Sequence, residues 1–413
     1  MRRTLTDVAC TVCGSVCDDL SITVDADRVV STRGACTLAE PWFLAQRSDS
    51  STTHAAINDQ PAELNAALDR AAELLRASRY PLIFGLSRST TEGQRAATAL
   101  ADRIGATIDT TASTGHAPSI VALQQVGEST CTLGEVKQRA DLVIFWGSDP
   151  ITTHPRFIER YCPPLPGRYT VVVDVTETAT AKAADEFIHI EPGTDWDTLW
   201  SLRQLVQSKS GELANPTLTE LANRMKSCKF GIVFFGNGLT RGPLAHRSVE
   251  ALLQLVTDLN LHTRFYARRM RRFGDVAGAD SVLTWQTGYP FGVNLSAGYP
   301  RYNPGEFTGP EMLARGEPDL CLLVGGETIR DFPPAAIAHL KRIPVILLDA
   351  PWAQPPVPAA VHFTTAVYGV HRPGTAYRLD EVPIPLRVLL STSAPSDSEV
   401  LNGLLSRMKH GMN

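Results

Sequence analysis

The sequence lacks several features that would place it in a large class of proteins. No apolar run approaches the roughly 18 to 20 residues that are needed to cross a bilayer, so we expect no membrane-spanning helix. There is no excess of positive charge either, because 39 Lys and Arg residues stand against 43 Asp and Glu residues. A general nucleic-acid-binding protein would usually be basic. We therefore expect neither a membrane nor a nucleic acid as partner.

A secretory signal and a disulfide framework are also missing. The first residues contain two arginines but no long apolar segment after them. The eight cysteines are too unevenly spread for the framework of a small secreted domain, since four of them crowd the first tenth of the 413 residues. These observations favour a cytoplasmic protein. We interpret the four scattered cysteines as buried small hydrophobic residues, namely Cys131, Cys162, Cys228 and Cys321.

What the chain does contain is an alternation of strand-like and helix-like segments. Nearly continuous apolar runs, each ending in Gly or Asp, predict buried parallel strands at 81–85, 142–147, 170–174, 231–236, 320–325 and 344–349. Leu and Ala spaced every three or four residues predict helices at 63–78, 91–104, 196–209 and 243–259. This alternation indicates an α/β protein with doubly wound, mostly parallel sheets, whose ligands lie outside the carboxyl ends of strands.

One long region interrupts the alternation. Residues 267–306 are rich in Gly, Pro, Tyr and Arg and show no clear period. An irregular segment of this length inside a compact domain is usually functional or covered by another element. We therefore expect an extended functional loop here. The tail from residue 391 is polar and ends in a short helix-like stretch at 399–408.

Four cysteines near the start form a candidate metal site. Cys10, Cys13 and Cys17 are separated by two and three residues, and Cys36 follows after eighteen more. One loop could surround three corners of a small metal centre while Cys36 closes the fourth. Four thiolates suit either a [4Fe–4S] cluster or a tetrahedral zinc ion, and this spacing favours iron–sulfur. Four unrelated buried cysteines are the alternative.

The segment 10–19 resembles the opening of the B subunit of formylmethanofuran dehydrogenase, a member of the molybdopterin oxidoreductases. Similar segments follow in order along nearly the whole chain, at 112–119, 132–137, 146–150, 154–156, 173–175, 191–195, 284–291, 298–304 and 374–380. The resemblance implies two Rossmann-like units and a small N-terminal cysteine-cluster lobe, as in molybdopterin oxidoreductases but without their C-terminal barrel.

The same resemblance implies the domain boundaries. The cysteine-cluster lobe would cover 1–55 and be completed by about 262–305. A discontinuous first α/β domain would comprise 56–111 and 306–390, and a second α/β domain would cover 112–261. The residues 391–413 would form a C-terminal tail.

In this family two pterin-guanine dinucleotides chelate the metal, and loops after strands hold them. The resemblance implies that the matching loops are Gly147-Ser148-Asp149, Gly193-Thr194-Asp195 and Gly236-Asn237-Gly238. Glycine allows backbone N–H groups to approach phosphate oxygens, and an Asp can accept hydrogen bonds from guanine or ribose. Taken alone, each loop is equally well an empty turn between a strand and a helix.

Two departures from the family pattern decide the expected chemistry. The family's metal ligand is a Cys or selenocysteine directly before a His, and the matching residues here are Gly115 and His116. Glycine has no side chain, so it cannot ligate a metal. Family members commonly carry a Lys two residues after the fourth cysteine, where this chain has Leu38. We therefore expect that redox chemistry is lost, that molybdopterin or tungstopterin is absent, and that His116 is a vestigial site residue.

The resemblance is to the B subunit of a bacterial formyltransferase/hydrolase complex in particular. Such a complex moves a formyl group from tetrahydromethanopterin to a methanofuran-type carrier and hydrolyses it to formate. The implied partners are a hydrolase-like A subunit, a β-helix-like C subunit and a formyltransferase D subunit. Hydrolysis needs no electrons, which fits a non-catalytic structural role for the B subunit. Two alternatives stay open, an active molybdenum or tungsten dehydrogenase subunit and a stand-alone iron–sulfur or zinc protein.

Within this picture a [4Fe–4S] cluster would act as a structural staple of the first fifty residues, because metal binding supplies folding free energy. A run of arginines could bind a polyglutamylated carrier or a partner subunit, since a guanidinium pairs well with carboxylates. A solvated loop is the third interpretation of this run, which comprises Arg264, Arg268, Arg269, Arg271 and Arg272.

Overall fold

The computed structural model describes residues 1–49, 51–207, 215–272, 274–351 and 353–409. The chain divides into two compact units. The first unit comprises Met1–Thr114 and Phe273–Asn413, and the second unit comprises Gly115–Arg272. No helix in the described ranges is both long and apolar enough to cross a membrane.

The strands are β1 (Arg3–Val8), β2 (Leu20–Asp25), β3 (Arg28–Arg33), β4 (Ala55–Ile57), β5 (Gln60–Ala62), β6 (Pro81–Gly85), β7 (Thr107–Thr110), β8 (Leu142–Trp146), β9 (Tyr169–Asp174), β10 (Glu186–His189), β11 (Phe230–Phe235), β12 (Arg264–Arg269), β13 (Val293–Asn294), β14 (Arg301–Tyr302), β15 (Leu320–Val324), β16 (Val345–Asp349), β17 (Val361–Thr364), β18 (Gly374–Tyr377) and β19 (Pro383–Leu386).

The helices are α1 (Ala39–Leu44), α2 (Leu64–Ala77), α3 (Thr91–Ile104), α4 (Ala112–Gly115), α5 (Ala117–Val126), α6 (Leu133–Arg139), α7 (Pro150–Thr153), α8 (Phe157–Tyr161), α9 (Ala179–Ala183), α10 (Asp195–Gln207), α11 (Pro216–Ser227), α12 (Asn237–Thr240), α13 (Ala245–Leu259), α14 (Val276–Thr287), α15 (Gly309–Arg315), α16 (Pro334–Leu340) and α17 (Asp397–Lys409). A 3-10 helix covers Gly326–Ile329.

The second unit is built on a parallel sheet whose described strands lie in the order β10-β9-β8-β11-β12. Strands β8 and β11 are buried along their whole length, which explains their continuous apolar sequences. Helices α10 and α13 contribute leucines to the same core. The strand order reverses between β8 and β11, and ligands of doubly wound sheets bind at such a point, beyond the carboxyl ends of the strands.

The first unit contains a sheet in the order β14-β13-β7-β6-β15-β16-β17-β4-β5 among its described residues. Its five central strands, β7 to β17 in that order, are parallel, and the strands at both edges are antiparallel. The order reverses between β6 and β15. Helix α17, which ends the described chain, packs on α2 and α3 and adds Val400, Leu401 and Leu404 to the core.

The cysteine-rich beginning belongs to the first unit. Strands β1, β2 and β3 form an antiparallel sheet with its own hydrophobic core. Cys10 and Cys17 lie within that core together with Phe43 of α1, and Cys36 packs against it. The segment that carries three of the four predicted metal ligands is therefore held by apolar packing as well as by whatever it binds.

The predicted α/β class with parallel sheets is confirmed, and each of the six predicted strands is present within one or two residues of its predicted bounds. The helix predicted at 196–209 is α10, and its last two predicted residues lie outside the described ranges. The helix predicted at 399–408 is α17, which begins two residues earlier. Residues 410–413 of the predicted tail lie outside the described ranges.

The expectation of a long irregular loop at 267–306 was wrong in part. The region contains α14 and short strands. Helix α14 is buried over most of its residues and is built largely from small or apolar side chains, including Ala277, Gly278 and Ala279. The first half of α14 is buried on all sides and so has no polar face, and such a segment shows no helical period in its sequence.

Candidate functional site

The loops that follow β8 and β11 meet at the point where the strand order of the second unit reverses. The N–H of Gly238 donates to the carbonyl oxygen of Gly147 at 2.9 Å, and the N–H of Gly236 donates to Trp146 at 3.0 Å. A Cβ atom on Gly238 would lie 2.6 Å from the Cα of Gly147. Real Cβ atoms do not approach other atoms so closely, so glycine is required at this crossing.

A cavity of about 190 Å³ opens beside these glycines. Arg241 and Arg272 line it together with both loops, and Ser148 and Asn237 add polar side chains. Guanidinium groups and polar side chains bind phosphate oxygens, whereas the N–H groups of Gly236 and Gly238 are already used in the contact between the two loops. The residues of this crevice, which we name the glycine crevice, therefore suit a phosphate ester. The predicted loops at 147–149 and 236–238 are brought together here.

Asp149 is held by neighbouring threonines. One carboxylate oxygen accepts hydrogen bonds from the N–H and the hydroxyl of Thr180 at 3.0 and 2.5 Å, and the other accepts from the hydroxyl of Thr152 at 2.6 Å. Partial burial would raise the pKa of Asp149, but these hydrogen bonds outweigh it and lower the pKa below its ordinary value. The ionised carboxylate thus fixes the shape of the loop, and it keeps only part of its acceptor capacity for a ligand.

The third predicted loop, 193–195, does not line the glycine crevice. Asp195 instead accepts a hydrogen bond from the indole N–H of Trp146 at 2.8 Å, at the end of β8. Burial, and then the nearby carboxylates Asp195 and Asp149, raise the pKa of Asp174 at the end of β9. This edge of the sheet is therefore acidic, in contrast to the cationic crevice between β8 and β11.

Gly115, which the sequence analysis predicts to stand at the family's metal-ligand position, ends α4 and is half-buried. Its carbonyl oxygen accepts a hydrogen bond from the Thr240 hydroxyl at 2.8 Å. A Cβ atom on Gly115 would meet no heavy atom within 4 Å. The position therefore has room for a side chain but offers no donor atom of its own. His116 follows it, is buried, and accepts at its carbonyl oxygen from the Ser119 hydroxyl at 2.7 Å.

Because of that open space, Gly115→Cys should fold normally, with a loss of unfolding free energy below about 1 kcal/mol. Urea unfolding measures the loss, and mass spectrometry after maleimide labelling shows whether the new thiol reacts. The matched control is Gly231→Cys in β11, whose Cβ would lie 2.2 Å from the Phe265 ring and should cost about 1–3 kcal/mol. Equal destabilisation by the two substitutions would contradict the open space at Gly115.

The four predicted metal ligands gather in one lobe, with Cys10, Cys13 and Cys17 buried and Cys36 half-buried. Burial raises the pKa of Cys10 well above its ordinary value, and the charges of the other three cysteines add to the rise. The Cys10 thiol therefore lies near enough to the other three cysteines for their ionisation to disfavour its own. Within the described ranges, however, no three His, Cys, Asp or Glu side chains are arranged so that they could hold a metal ion as they stand.

The backbone between these cysteines is closed and strained. The N–H of Cys10 donates to Cys17 at 2.8 Å, and the N–H of Val16 donates to Cys13 at 3.2 Å. Val16 has a φ of +36°, which a β-branched residue rarely adopts. Backbone strain of this kind persists where the surroundings impose it, commonly at ligand sites. The donor set fits a thiolate-bound metal in its chemistry and its position, and it would need side-chain rotations to converge. The predicted ligand set stays a prediction.

Sequence reasoning missed a larger cavity in the first unit. It measures about 300 Å³ and lies beyond the ends of β15 and β16, next to Thr11 of the cysteine segment. Arg88, Glu327, Asp349 and Tyr368 are among its lining residues. The glycines that end β6 and follow β15 were the available signal, because strand order reverses between these strands. We name this space the Arg88 cavity.

The arginine run is internal rather than solvated. Arg268, Arg269 and Arg271 are buried. Arg269 forms an ion pair with Glu128 at 2.5 Å, and Arg268 donates to the carbonyl oxygen of Cys131 at 3.0 Å. The solvated-loop interpretation was therefore wrong for these three residues, and Arg268 and Arg269 hold β12 against the segment after α5. Only Arg272 reaches the glycine crevice.

His154 is also a structural residue. Its ring nitrogens lie 2.7 Å from the carbonyl oxygen of Arg271 and 2.9 Å from the Thr153 hydroxyl. Burial lowers the pKa of His154 to about 4, so the ring is neutral near pH 7. It therefore supplies no charge to the adjoining crevice.

Comparison with known proteins gives two kinds of relatives, and no protein-family model matches the chain. The chain is 37% identical over 432 residues to the B subunit of tungsten-containing formylmethanofuran dehydrogenase 2 from Methanocaldococcus jannaschii, covering 99% of each protein. It is 27% identical over 263 residues to the B subunit of the formyltransferase/hydrolase complex Fhc from Methylorubrum extorquens, covering 63% of this chain and 71% of that protein.

Two solved structures share the fold. The formyltransferase/hydrolase complex FhcABCD of Methylorubrum extorquens, determined with methylofuran, contains a chain that superposes with a TM-score of 0.73 at 22% identity. The match covers 86% of this chain and 98% of that one. Acetylene hydratase from Pelobacter acetylenicus superposes with a TM-score of 0.63 at 11% identity, covering 97% and 69%. At these identities the likeness concerns the fold alone.

Proposed function

Since the chain belongs to the B-subunit family of formylmethanofuran dehydrogenases, we propose that it is the non-redox B subunit of a formyltransferase/hydrolase complex. The chain is thus a subunit of an enzyme complex of one-carbon metabolism. In the proposed complex the formyl group passes from tetrahydromethanopterin to a methanofuran-type carrier and is hydrolysed to formate. The B subunit would organise its partners and would not exchange electrons with the formyl group.

The observation that carries this proposal is Gly115. The relatives of this chain include a tungsten-containing enzyme. In this chain, however, the residue at the metal-ligand position has no side chain, and the space that a side chain would occupy is open. Backbone atoms cannot replace a soft thiolate ligand. Leu38 supports the same conclusion, because it has no charged group where family members commonly carry a lysine.

The proposed partners are a hydrolase-like A subunit, a β-helix-like C subunit and a formyltransferase D subunit. The solved relative is itself a complex of four kinds of subunit, FhcABCD. Exposed aromatic side chains support the placing of this chain in an assembly. Trp196 and Trp200 on α10 are 45% and 37% exposed, and Arg203 stacks 4.4 Å from the centre of the Trp200 ring. Trp and Arg are enriched at the energetic centres of protein interfaces.

An active molybdenum or tungsten dehydrogenase subunit is the second candidate. Two observations favour it: the identity to a tungsten-containing enzyme extends over nearly the whole chain, and the glycine crevice retains features that suit a phosphate ester. Such a subunit would need a metal ligand from outside position 115. We place it second because the crevice can also persist as packing between β8 and β11 after its ligand is lost.

Metal analysis of the native complex separates the two candidates. We expect tungsten and molybdenum far below one atom per copy of this chain, and no pterin-guanine dinucleotide released on denaturation. Formate should form from the formylated carrier without any electron acceptor. The tungsten-containing enzyme of Methanocaldococcus jannaschii, treated in parallel, shows that the procedure retains the metal.

Stoichiometric tungsten or molybdenum with released pterin would replace the first candidate by the second. A chain that stays monomeric when co-expressed with the A, C and D subunits would instead favour a stand-alone iron–sulfur or zinc protein. In either case the same measurement gives iron and zinc. We propose that the four cysteines hold a structural [4Fe–4S] cluster, and a colourless, iron-free complex would exclude it.

A further inference from the structure

We propose that Arg88 is the positioning residue of the cysteine segment, acting as a cationic strut that holds the backbone between Cys10 and Cys13 in the form needed for metal binding. This inference rests on the proposal that the four cysteines bind a metal. It concerns a residue far from them in sequence, in the loop that follows β6.

The contacts of Arg88 join two elements of the first unit. One terminal nitrogen donates to the carbonyl oxygens of Thr11 and Val12, at 2.7 and 3.3 Å. The Nε atom donates to the carboxylate of Glu327, in the 3-10 helix after β15. The side chain therefore links the centre of the Cys10–Cys13 segment to the end of the sheet, across 77 residues of sequence.

The anchor of this link is rigid. Arg88 and Glu327 lie on either side of the point where strand order reverses, between β6 and β15. Gly85 and Gly325 both have positive φ there, +116° and +82°, and a Cβ on Gly85 would lie 2.2 Å from the carbonyl oxygen of Val324. The guanidinium thus extends from a tightly packed edge to a loop that carries two metal-ligating candidates.

The positive charge of Arg88 lies beside the cysteine segment. Among the described residues that line the Arg88 cavity it is the one cation, beside three carboxyl groups. Its guanidinium donates to the carbonyl oxygens of Thr11 and Val12, the two residues that lie between Cys10 and Cys13. A bound thiolate cluster carries negative charge, so a fixed guanidinium next to it stabilises the loaded form as well as the loop.

The chain offers a matched control. Arg315 makes the same kind of contacts at another place in the first unit. Its terminal nitrogens donate to the carbonyl oxygens of Gly305 and Glu306, at 2.7 and 2.6 Å, and it pairs with Glu317. Removal of either arginine deletes a guanidinium that bridges two carbonyl groups and a carboxylate, but only Arg88 contacts the cysteine segment.

Two measurements on the full-length chain test the proposal. The first is hydrogen–deuterium exchange of the amides of residues 11–13 in the metal-free protein, which should accelerate in Arg88→Met and stay unchanged in Arg315→Met. The second is titration with Co²⁺, followed by the thiolate-to-cobalt charge-transfer absorption. Arg88→Met should weaken Co²⁺ binding about tenfold or more, because one or two backbone residues must then be ordered by the metal.

Further variants separate position from charge. Arg88→Lys keeps the positive charge but not the several N–H donors of the planar guanidinium. It should therefore bind Co²⁺ more tightly than Arg88→Met but less tightly than wild type. Glu327→Ala keeps Arg88 and removes its anchor, and it should loosen the segment as well. If Arg88→Met proves unstable, these two variants carry the test. Exchange and cobalt binding equal to wild type in all three would overturn the proposal. Wild type that binds no cobalt would refute the metal proposal, while the exchange measurement still decides the role of Arg88.

Discussion

Replacing Gly238 by alanine should destabilise the second unit by about 3 kcal/mol, at the upper end of the range for overpacked sites. The added methyl group would lie 2.6 Å from the Cα and 2.8 Å from the carbonyl oxygen of Gly147. Both atoms belong to backbone that is itself fixed between β8 and β11, so neither can move aside as a side chain would. The loops would separate, and the glycine crevice would lose its shape.

Native-state hydrogen exchange of the amides of β8 and β11 measures the loss of unfolding free energy in the second unit alone. The control is Gly134→Ala in α6, where the added Cβ would meet only the Thr132 hydroxyl, at 3.8 Å. Alanine is the better helix former, so this variant should be unchanged or more stable by up to about 1 kcal/mol. If Gly238→Ala exchanges as slowly as Gly134→Ala, the crossing of the two loops is not as tight as described.

The parts of the fold that could be predicted are those whose sequence signal is local. Strands β6, β8, β11, β15 and β16 are covered on both faces, so each is a short run of apolar residues that needs no knowledge of its neighbours. The Gly or Asp that ends each run was equally visible in the sequence, and two of the three predicted loops do meet. Helix α14 gave no signal because burial of its first half on all sides removes the contrast between faces.

The unpredicted parts depend on contacts between distant segments. Arg88 contacts the cysteine segment only because β6 lies beside β15, and Arg241 reaches the crevice only because β8 lies beside β11. Neither arginine is distinguished by its own neighbours in sequence. The cysteine spacing predicted the lobe that would hold the thiols, but spacing does not determine side-chain rotations. For this reason it could not indicate whether the sulfurs converge before a metal binds.

The first unit should lose stability as the pH rises from 7 to 9, and Asp275 should be the largest single contributor to the loss. Asp275 is buried at the start of α14, where burial raises its pKa to about 8. It accepts hydrogen bonds from the N–H groups of Gly278 and Tyr377 and from the Gln94 amide, and these oppose the rise without cancelling it. The carboxyl group is therefore largely protonated at pH 7 in the folded chain and ionised in the unfolded one.

The sign of the effect follows from proton binding. Between the unfolded pKa near 4 and the folded pKa near 8, the folded state binds more protons, so each increase in pH favours unfolding. The stabilisation is complete below the unfolded value, falls progressively between the two values, and is gone above the folded value, so the part lost between pH 7 and 9 is about 1.4 kcal/mol. A displacement of about four pKa units corresponds to a total on the order of 5 kcal/mol, at about 1.4 kcal/mol per unit.

The interval from pH 7 to 9 is chosen to avoid opposing groups. Burial lowers the pKa of His362 and His371 in the same unit, so their effect on stability has the opposite sign and is confined below about pH 6.5. Burial also raises the pKa of Asp109, to about 7, and this adds to the expected loss in the lower half of the interval. Burial raises the pKa of the thiols of Cys10, Cys13 and Cys321 as well, and these add to the loss above about pH 8, where unfolded thiols begin to ionise. Hydrogen exchange of β6 and β15 reports on this unit.

Asp275→Asn isolates the contribution of Asp275, because the amide cannot ionise. This variant should be less stable than wild type at pH 7, since its NH₂ group would face the Gln94 amide, but its stability should fall less steeply towards pH 9.

Asp319→Asn is the control: despite partial burial, hydrogen bonds from residues 78–80 hold the pKa of Asp319 below its ordinary value. That carboxylate is ionised in both states throughout the interval, so its removal should leave the slope unchanged. A wild-type slope that persists in Asp275→Asn would mean that the proton taken up on folding resides elsewhere, with Asp109 the next group to test.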